Sequence, residues 1–476
     1  GKLTTVDGSL LFGHNEDDGG LRVVNVWQVA RKTYDPDATL RLKRGALISQ
    51  AEKTWAYTWF QVNNLEYSDY YVNEWGVHVG SDACASREDN PELSEGGIGY
   101  MLRRIVAERA RTAREGVEIA GRLLDAYGYT GSGRTYAICD AEEGWLLSVV
   151  AGKHWVAQRV PDDKVAVLPN HYIIREVDLD DEENFLASED NIIDYAVKRG
   201  WYDPNSGKPF DFARVYRRPY SERSRYSRRG YDTRQWRGQQ LVTGQTVSKE
   251  EAKKNGLPFA VRPDRKLEVA DIQEILRDHY EGTPYGPVRS RDLTVIPAQD
   301  SDALPTSMPR RVGVNPNNTR ERTICTLTTV HSTVAQIRAD LPREAGTLLW
   351  VSFGRPDCNV YVPWYVLAME KIPSAYRNTP GVQTSEAAFK LQFDPVEGTF
   401  RYDPEAAFWT FNEMENVVDQ SYYASIKNVK SHFSAMEEDF FTMQKSVEKT
   451  AVALAEKDSY IMKQYLAGYS YSSIDY

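Results

Sequence analysis

The sequence has few of the features that mark several large protein classes. It contains four cysteines in 476 residues and no CxxC pair, which excludes a disulfide framework and a thioredoxin-type motif. No apolar run approaches the roughly 20 residues that a membrane-spanning helix needs. Basic residues are outnumbered, with 58 Lys and Arg against 68 Asp and Glu and a net charge of −10. This charge argues against a nucleic-acid-binding protein that works through a basic surface.

Metal, nucleotide and serine-hydrolase motifs are also missing. The seven histidines include no i, i+4 pair and no HExxH motif, which argues against a metal-centred hydrolase. There is no Walker-type loop and no GxGxxG, and Gly131-Ser132-Gly133 lacks the spacing of a GxSxG elbow. Cys325 and His331 are near enough in sequence to suggest a thiolate pair, but a buried, unreactive cysteine is the commoner case.

The first third of the chain is predicted to pass from β-structure to helices. The first residues alternate around a turn at Asp7-Gly8 as in a β-hairpin. Apolar residues at helical spacing then predict two helices, over 99–110 and 113–127. Thr112 and Glu115 are placed as a capping box at the start of the second helix.

The following segments return to β-structure. Four short runs joined by tight turns predict a four-stranded antiparallel sheet, over 135–139, 145–151, 154–160 and 165–169. Strands, paired helices and strands again predict an α+β fold rather than βαβ alternation. Residues 323–338 combine a β-like start with a helical continuation, and long helical patterns cover 403–429 and 431–457.

Several separated segments together resemble one family. They are GKLTTVDGSLLFGHNED at 1–17, NEWGV at 73–77, SDACASRE at 81–88, GGIGY at 96–100, GKHWVA at 152–157, VAVLPN at 165–170, GWY at 200–202 and YVPWY at 361–365. On these segments the chain resembles the cysteine N-terminal-nucleophile hydrolases of the dipeptidase A family, relatives of penicillin V acylase and bile salt hydrolase. Each motif is short, but together they extend over nearly the whole chain.

The resemblance implies a chemistry centred on the first residue of the mature enzyme. The side chain of that residue attacks the scissile carbonyl, and its free α-amine acts as the base. This chemistry needs no separate histidine, no cofactor and no metal.

The resemblance also assigns roles to five residues of this chain. Asp17 matches the aspartate that orients the terminal amine and thiol, Asn170 matches an asparagine that donates to the oxyanion, and Arg234 matches an arginine near the nucleophile. These three are the catalytic candidates. His14 stands where relatives often carry arginine, and Asp82 stands near an oxyanion-hole asparagine of the acylases. Because an ionised carboxylate cannot donate, Asp82 would contact a substrate amine instead, so His14 and Asp82 are substrate-binding candidates.

Each of these residues also has a purely structural interpretation. Asp17 and Asn15 would cap a turn, Asn170 would end a strand after a proline, and Arg234 would be an exposed residue of an Arg-rich stretch. Without the resemblance, the structural interpretation would be preferred for all of them.

The nucleophile itself is not among the residues of this sequence. In the family the cysteine precedes the Gly-Lys pair by a few residues and becomes terminal when an initiator Met or a leader peptide is removed. Gly1 has no nucleophilic side chain, so we expect the catalytic cysteine upstream of it; the alternative is an inactive relative. None of the four cysteines in the sequence is expected to replace it, and Cys84 is expected to pack or line the site.

Together these observations predict a four-layer αββα sandwich with a helical C-terminal part. Residues 1–380 would form the N-terminal-nucleophile domain, with a loop-rich Arg/Tyr excursion near 216–236, and residues 381–476 a mainly helical extension packed on it. The expected activity is hydrolysis of dipeptides or short peptides through a thioester acyl-enzyme. The alternatives are an amidase or acylase acting on a non-peptide amide, and an inactive binding or assembly protein. We expect small peptide substrates, no nucleic acid, no membrane span and a homo-oligomer, in the cytoplasm or the cell envelope.

Overall fold

The computed structural model of the protein describes residues 1–43, 45–66, 69–219, 231–287, 321–377 and 379–475. They divide into two units that alternate along the sequence. Unit 1 comprises Gly1–Leu10, Ala30–Tyr57 and Tyr70–Leu267, and unit 2 comprises Leu11–Val29, Thr58–Asp69 and Glu268–Tyr476. The predicted domain boundary at residue 380 stays a prediction. The predicted Arg/Tyr excursion near 216–236 lies partly outside the described residues, which omit 220–230.

The described residues contain both strands and helices in quantity. The strands are, in chain order, β1 Leu10–Asp17, β2 Val24–Val29, β3 Lys32–Thr33, β4 Thr39–Arg41, β5 Leu47–Ser49, β6 Lys53–Thr54, β7 Tyr57–Val62, β8 Tyr70–Asn73, β9 His78–Ala83, β10 Tyr129–Cys139, β11 Gly144–Gly152, β12 Trp155–Arg159, β13 Val165–Ala166, β14 Phe185–Ala187, β15 Ala260–Val261, β16 Thr329–Ile337, β17 Thr347–Phe353 and β18 Val362–Trp364. The helices are α1 Leu102–Arg109, α2 Ala113–Tyr127, α3 Ile192–Lys198, α4 Phe212–Tyr216, α5 Thr233–Thr243, α6 Lys249–Asn255, α7 Val269–Leu276, α8 Arg343–Gly346, α9 Ser385–Lys390, α10 Ala407–Gln420, α11 Tyr422–Ala455 and α12 Ser459–Asp475.

Unit 1 is organised around antiparallel strands in the order β14-β12-β11-β10-β9-β8. The central strands β10 and β11 are rich in apolar residues and pair in register, with Tyr136 opposite Leu147. Their pairing is irregular between Tyr129 and Gly133. Gly133 has a φ of +133°, and a Cβ atom there would clash with Tyr172 Oη and Cys84 O. The bend in β10 therefore depends on glycine, and it lets the segment that contains Tyr172 approach the sheet.

The two predicted helices of unit 1 are confirmed as α1 and α2, which pack on strands of this sheet. Thr112 is the N-cap of α2, and its hydroxyl accepts a hydrogen bond from the Glu115 N–H at 3.1 Å. The Glu115 carboxylate reaches back to the Arg111 N–H at 2.7 Å. Gly128 follows the helix with a φ of +76°, as its predicted stop. Local chemistry therefore sets the ends of α2, and the distant Asp140 carboxylate adds a hydrogen bond from the Ala113 N–H at 2.6 Å.

Unit 2 has its own sheet, in the order β1-β16-β17-β18, and also pairs β7 with β2. Helices α10, α11 and α12 contact β17 and β18, which confirms the predicted helical C-terminal part. Each unit thus holds one sheet layer and helices packed on it, the elements that the predicted sandwich requires, and the α+β class is confirmed.

Three predictions of local structure are wrong. The first six residues do not form a hairpin strand: Lys2–Thr4 is a 3-10 turn, and the backbone after it pairs with Leu267 instead. Strand β13 does not extend the antiparallel sheet, because it pairs with β15 and β14 takes the place beside β12. No helix follows the strand in 323–338. Instead β16 continues to Ile337, buried along its whole length, because its β-branched residues suit a buried strand.

Within the described part of the chain, no helix combines the length and the apolarity that crossing a lipid bilayer would require.

Candidate functional site

Asn170 lies in the loop that follows β13, half-buried and directly after Pro169. The residues after it anchor this loop to the core of unit 1. The Tyr172 hydroxyl donates to the Val149 carbonyl of β11 at 2.7 Å, and Tyr172 and Ile174 are buried in a hydrophobic cluster of unit 1. The packing of this segment on β11 therefore positions Asn170, which does not simply end a strand.

Arg234 is the second residue of helix α5, and the helix cap sets its position. The Asp232 carboxylate accepts from the backbone N–H groups of Arg234 and Gln235, at 2.8 and 3.3 Å, as an N-cap residue should. The Arg234 side chain is only 11% exposed. The interpretation as a surface arginine is therefore wrong.

The structure brings Asn170 and Arg234 together. The Arg234 Nη2 donates to Asn170 Oδ1 at 3.1 Å. Because a guanidinium has donors only, the amide oxygen must face Arg234, and the amide NH2 group of Asn170 points the other way. An amide held in this orientation presents the donor that an oxyanion needs.

A second pair, which the sequence did not suggest, lies beside this contact. His171 Nε2 is 3.4 Å from Nη1 of Arg217. Burial is the main cause that lowers the pKa of His171 to about 4; the charge of Asp232 opposes it, and the charges of Arg217 and Arg234 act in the same direction as burial. The imidazole is therefore neutral at neutral pH and accepts from Arg217. The only available signal in the sequence was that His171 follows Asn170 directly.

Asp82 lies in the same unit, on β9, where it is half-buried and pairs with Thr135 of β10. Alternation along the strand places it on the face opposite Ser81, whose hydroxyl accepts from Arg103 and Arg134. Four residues after Asp82 the chain pairs with the segment of Arg217, through a bridge between Ser86 and Arg217.

Asp17 is the last residue of β1, in unit 2, and it binds side chains from distant parts of the sequence. Its Oδ1 accepts from the Thr329 hydroxyl at 2.6 Å, and its Oδ2 lies 2.9 Å from Arg322 Nη2. Its side chain is 7% exposed. The interpretation of Asp17 as the cap of a local turn is therefore wrong. The same holds for Asn15, which donates to the carbonyls of Leu276 and Ile324.

His14 is buried on β1 and points to the face opposite Asp17, because the two are an odd number of residues apart on one strand. Its Nε2 lies 3.1 Å from Glu16 Oε2, and its ring is 6.3 Å from that of His331. The structure thus places His14 and Asp17 in different surroundings.

None of the four cysteines is placed as a nucleophile. All are buried, and burial raises the pKa of Cys84 to about 12 and that of Cys139, Cys325 and Cys358 well above the ordinary value. Cys325 Sγ lies 3.7 Å from Asp357 Oδ1, whereas the His331 ring packs on Phe60. Since the thiolate is the nucleophilic form, none of these buried thiols is suited to attack a substrate.

Comparisons with known proteins point in one direction. The sequence model of Peptidase family C69 matches residues 1–435. The probable dipeptidase of Latilactobacillus sakei is 27% identical over 404 residues, which cover 82% of this chain and 78% of that one. The probable dipeptidase B of Lactococcus lactis subsp. lactis is 28% identical over 449 residues, covering 89% and 86%. Among solved structures, penicillin V acylase from Agrobacterium tumefaciens aligns over 76% of this chain and 84% of its own, at 11% identity and a TM-score of 0.34.

Proposed function

Because the chain belongs to peptidase family C69, we propose that it is a cysteine-type dipeptidase that hydrolyses dipeptides or short peptides through a thioester acyl-enzyme. The match of the family over residues 1–435 carries this proposal. The names of the relatives, which are dipeptidases and probable dipeptidases, support the substrate class.

The reaction that we propose begins at an N-terminal cysteine upstream of Gly1. The thiol adds to the scissile carbonyl while its proton passes to the α-amine, and the leaving amine takes that proton when the tetrahedral intermediate collapses. Water then adds to the thioester and releases the acyl product and the free thiol. No step needs a cofactor.

Asn170 would donate its amide NH2 to the oxyanion, and Arg234 would hold the amide in that orientation. The 3.1 Å contact between the two supports this division of roles. Arg234 is then a positioning residue rather than a group that touches the reacting atoms.

Asp17 would orient the terminal amine and thiol, Asp82 would bind the substrate's amino group, and His14 would line the binding site. Asp17 is suited to its role because Thr329 and Arg322 bind its two oxygens, which fixes the orientation of the carboxylate. Asp82 is half-buried at the end of β9, where a carboxylate can pair with an ammonium group.

The test uses the full-length protein, with any residues that precede Gly1. Intact mass identifies the mature terminal residue, and kinetics on a dipeptide panel and on acyl amides identify the substrate class. We expect a terminal cysteine, turnover of dipeptides and inactivation by iodoacetamide. A terminal residue other than Cys, Ser or Thr would remove the enzymatic proposal, and turnover of acyl amides alone would favour an acylase.

Two variants test the role of Asp17. We expect Asp17→Asn to lower kcat by about 100-fold or more, since it removes the charge that would hold the nucleophile's amine. Asp37→Asn, at an exposed position, is the matched control and should leave kcat unchanged. Equal activity of the two variants would contradict the proposed role.

We also propose a homo-oligomer, on the family resemblance alone. Light scattering of the full-length protein tests this proposal, and a monomer at micromolar concentration would reject it.

A further inference from the structure

A cluster of three buried residues in unit 2 has the composition of a metal site. His279 lies just after α7, Cys325 lies in the loop before β16, and Asp357 lies in the 3-10 turn Pro356–Cys358. Each side chain is at most 1% exposed. One ligand atom from each, a ring nitrogen, a thiol sulfur and a carboxylate oxygen, lies within 4.8 Å of the other two.

The separations within this His–Cys–Asp cluster fit a tetrahedral ion. Zinc bonds of 2.0–2.3 Å at tetrahedral angles place ligand atoms about 3.3–3.6 Å apart. His279 Nε2 is 3.1 Å from Asp357 Oδ2, and Cys325 Sγ is 3.7 Å from Asp357 Oδ1. These two separations, to the two oxygens of Asp357, are close to that range, and the three ligand atoms all lie within 4.8 Å of one another.

His279 is fully buried beside the Asp357 carboxylate. Its Nε2 lies 3.1 Å from Asp357 Oδ2, although neither ring nitrogen makes a well-aligned hydrogen bond within the described residues. An imidazole nitrogen in this position is available to bind an ion.

The charges around the cluster also favour a cation. Arg355 is fully buried and faces three carboxyl groups: its side chain pairs with Asp357 at 3.2 Å and Asp419 at 2.8 Å, and its backbone N–H donates to Glu415 at 2.6 Å. Asp357 and Asp419 thus carry two negative charges beside this one guanidinium.

We propose that His279, Cys325 and Asp357 bind one divalent cation of the zinc type, and that the ion holds together the three segments that carry them. Nitrogen, thiolate and carboxylate ligands together suit Zn²⁺ and not Mg²⁺ or Ca²⁺. Binding converts the Cys325 thiol to a metal-bound thiolate and releases one proton to solvent. The ion would stabilise the fold and take no part in the hydrolysis, so the inference does not depend on the proposed function.

Neighbouring side chains would orient the Asp357 carboxylate for metal binding. The Tyr422 hydroxyl donates to Asp357 Oδ2 at 2.9 Å, and Arg355 binds Oδ1, so both would orient the ligating carboxylate. A small cavity is lined by Asp357 together with Arg277, Asn359 and Lys430, so it approaches the cluster from the side of Asp357.

The experiment measures metal content in the full-length protein, freed of any histidine tag and grown in zinc-supplemented medium. Elemental analysis should find about one zinc per chain. Cys325→Ser should reduce this to below about a tenth, while Cys358→Ser should retain it. Cys358 is the matched control because it is a buried cysteine of the same region, 3.3 Å from Arg355 Nη2, and is not one of the three proposed ligands.

Two outcomes would overturn the proposal: less than about a tenth of an equivalent in the wild type after direct zinc titration, or equal loading of the two variants. If Cys325→Ser fails to fold, cobalt substitution of the wild type decides. The site is supported if the cobalt protein shows a thiolate-to-cobalt charge-transfer band, and if a chelator removes this band and lowers the melting temperature. The absence of the band rejects the site.

Discussion

The contact between Arg234 and Asn170 makes a prediction that can be worked from the structure. Arg234→Ala removes the 3.1 Å hydrogen bond that orients the Asn170 amide. Hydrogen bonds to a charged partner contribute about 1.5–3 kcal/mol, and each 1.4 kcal/mol corresponds to a factor of about ten. If orientation of the amide is all that Arg234 provides, kcat should fall by about 10- to 100-fold.

Asn170→Ala should be more severe, because it removes the oxyanion donor itself. Loss of one such donor costs about 100- to 1,000-fold in kcat. If Arg234 acts only through Asn170, the double variant should be no slower than Asn170→Ala alone. The coupling free energy of the double-mutant cycle should then nearly equal the whole effect of Arg234→Ala.

The assay is steady-state hydrolysis of the best dipeptide by the wild type, both single variants and the double variant. Arg262→Ala, at a position 72% exposed in the same unit, is the control and should match the wild type. Thermal melting of each variant checks that it folds. Additive losses, with Arg234→Ala as harmful in the Asn170→Ala background as in the wild type, would refute the positioning role.

Three further predictions concern stability. Thr112→Ala should lower the free energy of unfolding by about 1 kcal/mol, because the cap bond of α2 is lost; in denaturant melts, Thr450→Ala in the exposed middle of α11 should show no loss. Gly133→Ala should lower the free energy of unfolding by more than Gly200→Ala. Both glycines have positive φ, but only at Gly133 would a Cβ clash with Tyr172. Equal losses of stability in the two variants would contradict this reasoning. His171 has a folded pKa of about 4 against an ordinary 6.5, so the unfolded chain binds more protons and stability is lost as pH falls from 6.5 towards 4. Between pH 7.5 and 5, the free energy of unfolding of His171→Gln should therefore fall by about 2 kcal/mol less than that of the wild type. An unchanged pH dependence of stability would refute the assigned pKa.

The structure confirmed the prediction for α2, which rested on local capping chemistry. Helix α2 begins and ends where Thr112 and Gly128 require, because capping involves only neighbouring backbone groups. The prediction failed where long-range pairing competed. Strand β13 was correctly predicted as extended, but its partner is β15, almost 100 residues away, and no local pattern reports a partner at that distance.

The candidate site likewise contains residues that the sequence indicated and residues that only the structure revealed. Asp17 and Asn170 were recognisable in the sequence only because their surrounding motifs resemble a family. The resemblance made Arg234 a catalytic candidate, whereas its Arg-rich surroundings alone favoured an exposed position. Its side chain is only 11% exposed and donates to Asn170. His171 and Arg217 were missed, since their 3.4 Å contact joins residues 46 positions apart.

The sequence by itself determined the class of the fold, the ends of its best-capped helix, the family and the residue types that the chemistry would use. These follow from periodicity, capping and motif, each of which acts within a few residues. Only the tertiary structure decided which side of the Asn170 amide is held, that the four cysteines are buried, and that His279, Cys325 and Asp357 meet in one buried cluster. Burial and contact between distant segments shift pKa values and orient donors, and both arise only when the chain is packed.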